Sequence, residues 1–282
     1  MASQSLITIN KDNWSVILEL QKGFFGQKLF HPFSTTRVKE FMHIHKGKRT
    51  YKKEIDQLVY TDEFVDEEAE KIIMDEDSVF QIKHDGSCGF IMYDEETDTY
   101  IPYTRFDVRL DKETNEWKDI GEKWIPCEGE PDKTIATHWP HFRNCEEDPS
   151  NYKYRLDAFS KLDTSKLPKT SFTCEYMGGK LGTPEQFDPI GAPCKIVPHG
   201  SATMKVSKEF RSLSGLGELF EMFPFIEGFI VTNPKSDKRY KIRRDLVMVK
   251  HNDQDKTFRL YWPPKFIDHS IENPMISSQC SL

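Results

Sequence analysis

The stretch QIKHDGSCGF sets Lys83 between apolar runs, with Asp85 and Gly86 just after it. A lysine at such a corner is either a solvated residue beside an Asp-Gly turn or a nucleophile whose amine forms a covalent bond. Downstream, CEYMGG places Glu175 in a short apolar context, and IEGFIV places Glu227 immediately before a glycine at the start of a strand. Fourteen residues later, YKIRRD presents Lys241 and Arg243. Side chains alternate across a strand, so these two cations share one face while Tyr240 and Ile242 take the other. If the strands flanking TNPKSDK pair, Glu227 and Lys241 lie close together in one cleft. Each residue also has a plain structural reading. Lys241 is then a surface lysine on an edge strand, Glu227 an exposed acid, and Arg105 a partner of Asp107 or Glu113.

The elements that must carry these residues read mostly as strands. Residues 87–93 and 99–106 flank DEETD, 226–231 and 239–244 flank TNPKSDK, and DLVMV and TFRLYW flank KHNDQDK, giving three expected hairpins. Helical periodicity is confined to two places. Residues 62–74 carry Val65, Ala69, Ile72 and Ile73 on one face behind Thr61 as N-cap, and 207–222 form a second helix interrupted by two glycines. The expected architecture is one α+β domain of antiparallel sheets flanked by helices over residues 26–265. Residues 1–25 form an appended segment and 266–282 a loosely ordered tail.

Composition bounds the function classes. The 282 residues are 37% hydrophobic and 30% charged, as in a soluble globular protein. No run approaches a bilayer span, and the N-terminus lacks the basic flank and apolar core of a secretory signal. Six scattered cysteines without a C-x-x-C pair read as reduced thiols, so an intracellular location, cytoplasmic or nuclear rather than secreted, is expected. By the same logic the NWS at Asn13 is a chance glycosylation match. The net charge of −7 argues against a salt-driven nucleic-acid binder, yet leaves room for a local basic groove. Lys46, Lys48, Arg49, Lys52 and Lys53 around Tyr51 are the candidate for it, as phosphate contacts or as an exposed loop. Residues 61–78 hold nine acids against one lysine, a solvated helix face or a shield that repels nucleic acid. His138, His141, Cys145 and Cys127 have a spacing that zinc sites do not ordinarily use, and read as ordinary loop residues.

Taken in order, KHDGS, TRFD around Arg105, CEYMG, EGFIV and KIRRD resemble the five motifs of the covalent nucleotidyltransferase superfamily, which contains ATP-dependent polynucleotide ligases and messenger-RNA capping enzymes. Within it the chain is most similar to animal-type ATP-dependent 5′-to-3′ RNA ligases. That likeness spans roughly residues 30 to 250 and includes HPF (31–33), WIP (124–126) and VPHG (197–200). It departs from the K-x-K common in the fifth motif, because Arg243 takes the second place. That keeps the charge but changes its geometry. About 38 residues follow Arg244, too few for the oligonucleotide-binding (OB) barrel of DNA ligases and capping enzymes.

The resemblance implies a nucleotidyltransferase domain (ATP-grasp-like, with no C-terminal OB domain) that uses ATP and Mg²⁺ or Mn²⁺. It implies that RNA with 5′-phosphate and 3′-hydroxyl ends is joined through a lysyl-AMP on Lys83 and an adenylylated RNA end. Lys83, Lys241 and Glu227 would be catalytic, with Glu227 also on the metal. Arg105, Glu175, Arg243 and Gly86 would serve the nucleotide, Arg105 and Glu175 at the ribose. An aromatic, Phe172 or Tyr176, would stack on adenine, and VPHG puts His199 near the site without a role. A GTP-using capping-type guanylyltransferase and a catalytically silent RNA-end-binding module of the same fold are the alternatives.

Overall fold

A computed structural model of the chain describes residues 6–11, 13–46, 49–178, 181, 193–250 and 257–260. The chain begins with β1 (Ile7–Ile9), α1 (Trp14–Gln21), β2 (Phe33–Lys46), β3 (Arg49–Phe64) and α2 (Glu67–Met74). Next come β4 (Val79–Lys83), β5 (Ser87–Asp94), β6 (Thr99–Arg109), β7 (Ile125–Pro126) and β8 (His138–Asn144). Then follow α3 (Lys153–Ser160), β9 (Phe172–Met177), β10 (Lys195–Pro198), β11 (Ala202–Met204) and α4 (Leu213–Met222). The final strands are β12 (Gly228–Asn233), β13 (Ser236–Arg243), β14 (Met248–Lys250) and β15 (Thr257–Arg259). The protein is thus α+β, dominated by antiparallel sheet, with four α-helices among the described residues. None of these helices is long and apolar enough to cross a membrane.

The described residues sort into two compact units. Unit 1 takes the chain up to Leu29 and residues His84–Met204. Its six-stranded antiparallel sheet runs β10-β9-β5-β6-β8-β7, and β1 pairs with β11. All six residues of β9 are buried, as in a strand covered on both faces. Residues 7–25 supply part of that cover. Trp14 packs on Phe172 at 4.9 Å between ring centroids, and Phe25 meets both Phe90 and Phe142 edge-on. Trp14 and Phe25 therefore pack against the sheet of unit 1. Asn13 is the N-cap of α1, accepting from the Val16 amide.

Unit 2 takes Phe30–Lys83 and, among the described residues after it, those from Lys205 to Leu260. It contains the long β2–β3 hairpin, the β4-β12-β13 sheet and the β14–β15 pair. Its core stacks Phe220 on Phe229 and sets Phe80 edge-on against the latter. The buried Arg211 donates to the carbonyls of Val206, Ile73 and Asp75, tying the end of α2 to the chain before α4.

All three expected hairpins form. Both helices start later than periodicity suggests. Residues 62–64 belong to β3, because their backbone joins the ladder that pairs Phe64 with Phe33. Asp66, not Thr61, caps α2 by accepting from the Ala69 amide at 2.7 Å. Val65 stays 46% exposed outside the helix while Ala69, Ile72 and Ile73 are buried. In α4, residues before Ser212 turn as a short 3₁₀ segment, and Ser212 caps Gly215. Gly215 suits that turn, since a Cβ there would lie 2.5 Å from the Glu209 carbonyl oxygen. The C-terminal tail from residue 266 lies outside the described residues.

Candidate functional site

In unit 2, strand register assembles the charged residues singled out by sequence. Pairing of β12 with β4 sets Gly228 against Lys83, and pairing with β13 sets Gly228 against Arg243 and Ile230 against Lys241. Glu227 therefore stands at the mouth of three strand ends, where its carbonyl accepts the Arg244 amide at 2.8 Å. Its Oε2 meets Lys83 Nζ at 2.5 Å, an ion pair in which the carboxylate side chain is 9% and the lysine 26% exposed. Lys83 is thus one cation at Glu227, and Arg243 across the β12–β13 pair is near enough to feel its charge. Lys241 stands opposite Ile230, three residues along β12 from Glu227.

Alternation on β13 holds: Tyr240 and Ile242 are buried, while Lys241 and Arg243 are half-buried between them. Arg243 is oriented by Asp245, with Nε to Oδ1 at 2.9 Å and Nη2 to Oδ2 at 2.6 Å. Burial works against the Arg243 charge, but Asp245 outweighs it and the guanidinium pKa lies above its ordinary value. The strand end is also braced from behind. Tyr60 Oη accepts the Arg243 amide at 3.0 Å, contacts His31 Nδ1 at 2.6 Å and lies 3.4 Å from the Lys241 carbonyl. The Lys241 amide donates to Phe30 at 2.8 Å. Burial, then the Lys241 and Arg243 charges, pull the His31 pKa down to about 4.

Unit 1 holds a second group. Glu175 on β9 pairs across the ladder with Cys88 on β5. Arg105 repeats the clamp seen at Arg243, with Nε to Asp107 Oδ1 at 2.9 Å and Nη2 to Oδ2 at 3.2 Å. The partnership with Asp107, one of the two structural readings of Arg105, is therefore formed. Glu175 Oε2 lies 3.1 Å from His199 Nε2. Gly86 has a packing reason for its identity, since a Cβ would come within 2.4 Å of the Tyr176 carbonyl oxygen.

The other candidates fare differently. Phe172 and Tyr176 are fully buried in the core of unit 1, so neither presents a face on which adenine could stack. His138 and His141 point to opposite faces of β8 because an odd number of positions separates them. His138 Nδ1 meets Thr137 Oγ1 and His141 Nδ1 meets the Trp139 carbonyl. No metal-holding group of three or more His, Cys, Asp or Glu occurs among the described residues. The five described cysteines are free thiols, and burial pushes Cys127 and Cys145 up to about 12. Lys46 and Arg49 pair at the tip of the β2–β3 hairpin, and Lys53 is exposed further along it. Residue Lys48 and the side chains of Lys46, Arg49 and Lys52 lie outside the described residues.

Sequence reasoning gave no role to Asp245, Tyr60, His31 or Gln21, the last a buried glutamine at the end of α1. The first had a signal: R-x-D occurs at both Arg105 and Arg243, although Asp107 shares a strand with its arginine while Asp245 lies in the short 3₁₀ turn after β13. No family model matches the chain, and no curated protein matches it significantly.

Proposed function

We propose that the protein is a covalent nucleotidyltransferase acting as an ATP-dependent RNA ligase, with Lys83 as nucleophile. The Lys83–Glu227 pair, with Lys241 and Arg243 on the adjoining strand, is the observation that carries this reading. A structural surface pair would gain little from being three-quarters buried. A nucleophilic lysine, by contrast, needs a carboxylate that orients its amine and cations that favour its neutral form.

In the first step Lys83 Nζ gives one proton to water, forms a bond to the α-phosphorus of ATP as the bond to pyrophosphate breaks, and gives a second proton to water to leave a neutral phosphoramidate N–H. Lys241 and Arg243 offset the charge that grows on the phosphoryl oxygens. The phosphoramidate bond then breaks as a 5′-phosphate oxygen of RNA attacks, placing AMP on the RNA end. Attack by a 3′-hydroxyl on the 5′-phosphorus seals the strand and releases AMP. Glu175 would take the ribose hydroxyls, and Arg105 the ribose or the RNA 5′-phosphate.

The donor set suits Mg²⁺ or Mn²⁺ rather than a cation needing a full protein cage. Glu227 is one hard carboxylate beside a phosphate-binding face, and Mg²⁺ is commonly held by one or two carboxylates plus substrate phosphates. When bound, the metal would neutralise phosphate charge.

The test is incubation of the purified chain with α-labelled ATP or, separately, GTP, followed by denaturing electrophoresis. A label from ATP that survives denaturation and is lost in Lys83→Ala supports the reading. Label from GTP moves the protein to capping-type chemistry. No label from either overturns the covalent mechanism and leaves a silent binding module.

A further inference from the structure

Gln21, the last residue of α1, is only 7% exposed, yet its side-chain amide is fully used. Oε1 accepts from Thr173 N at 2.7 Å and Thr173 Oγ1 at 3.0 Å. Nε2 donates to Thr173 O at 3.0 Å and to His199 O at 2.7 Å. Two acceptances and two donations are all that an amide side chain can make, so one geometry is specified. Thr173 lies two residues before Glu175 on β9 and so faces the same way.

The same turn is gripped twice more from the N-terminal segment. Asn10, itself 7% exposed, donates Nδ2 to the Gly200 carbonyl at 3.0 Å and its amide to the Ser201 carbonyl at 2.7 Å. Phe24 sets its ring edge-on to His199 at 5.6 Å. Gly200 has φ of +84°, which lets the chain fold back there at low cost. What this turn delivers is His199, whose Nε2 reaches Glu175 Oε2 at 3.1 Å. In the tautomer that makes this bond, Nε2 donates and the Glu175 oxygen accepts. The chain of contacts runs from Asn10 and Gln21 through the VPHGS turn to one oxygen of Glu175, all within unit 1.

We propose that Gln21 and His199 are positioning residues for Glu175, and that through them the N-terminal segment sets how the nucleotide ribose is gripped. This rests on the nucleotidyltransferase reading, which gives Glu175 the ribose hydroxyls. A carboxylate fixed through one oxygen presents the other in a defined direction, and direction is what distinguishes a ribose from a deoxyribose.

The test uses the full chain and measures Lys83-dependent labelling with α-labelled ATP, 2′-deoxy-ATP and 3′-deoxy-ATP. The wild type should prefer ATP over at least one deoxy analogue. His199→Ala should reduce that preference by roughly tenfold, the value of one hydrogen bond to a charged group, through KM for ATP and not kcat. His199→Gln, which keeps an N–H donor of similar reach, should restore most of it. Gln21→Leu should act like His199→Ala. Glu175→Ala should remove the preference, and adding His199→Ala to it should cost nothing further. If Gln21→Leu does not fold, the two His199 variants and the cycle with Glu175 still decide the matter. An unchanged preference in folded His199→Ala, or additivity in the cycle, would overturn this proposal while leaving the ligase reading intact. Absence of any label from the wild type would remove both.

Discussion

Replacing Tyr60 by Phe removes one oxygen atom and isolates what the brace behind β13 contributes. The ring stays, so apolar burial and packing volume barely change. What is lost is the acceptor for the Arg243 amide at 3.0 Å and the partner of His31 Nδ1 at 2.6 Å. The 3.4 Å approach to the Lys241 carbonyl is long enough to add little. Burial pushes the phenol pKa up, so the hydroxyl is protonated and can donate to the ring nitrogen while accepting from the amide. A buried amide left without its acceptor costs about 1–3 kcal/mol. Tyr60 itself is 3% exposed, so water does not readily replace the lost group. The expected loss is therefore about 2 kcal/mol of unfolding free energy, read as a lower urea midpoint at unchanged slope. Pairing Tyr60→Phe with His31→Ala in a double-mutant cycle should show strong non-additivity, because both act on one hydrogen bond. A midpoint shift worth less than about 0.5 kcal/mol, the scale of a neutral surface substitution, would refute the brace. So would full additivity.

Three further outcomes follow from the same geometry. Lys83→Arg should keep the cation beside Glu227 and the fold, yet abolish covalent labelling, since a guanidinium is not a nucleophile at neutral pH; retained label in an intact-mass measurement would remove Lys83 as nucleophile. His31 has a folded pKa of about 4 against 6.5 when unfolded, lowered by burial and then by Lys241 and Arg243, with the Lys241 backbone and Asp245 opposing. Between those values the unfolded chain binds the extra proton, so stability falls as pH drops from about 6.5 to 4. The loss is on the order of 2 kcal/mol after allowance for partial exposure. His31→Gln should flatten that part of the pH–stability curve, and an unchanged curve would count against it. Gly86→Ala should destabilise unit 1 by at least about 1 kcal/mol, because its Cβ meets the fixed backbone oxygen of Tyr176 at 2.4 Å; a thermal midpoint equal to wild type would contradict that contact.

Local chemistry was legible in the sequence wherever neighbours in the chain are neighbours in space. The turns DEETD and TNPKSDK marked hairpins that form, and alternation on KIRRD put Lys241 and Arg243 together on one face. The errors at helix starts have a common cause. Thr61 satisfies every local criterion for an N-cap, but its backbone belongs to a ladder with β2 that no local pattern announces. The candidate site shows the same boundary more sharply. Glu227 was expected to meet a cation across its own hairpin. The register also brings Lys83 to it, 144 positions earlier in the chain, because β12 has β4 on its other edge. Sequence selected both residues by type, while only the sheet order decides which pair shares a proton-sized gap. Gln21 is the extreme case. A single glutamine at the end of a short amphipathic helix has no periodicity, spacing or motif to mark it. Its importance comes entirely from partners more than 150 residues away. Its burial is informative for that reason. A polar side chain held at 7% exposure with every hydrogen-bonding position filled has given up its water for one arrangement of Thr173 and His199. That arrangement is what Glu175 depends on for its direction.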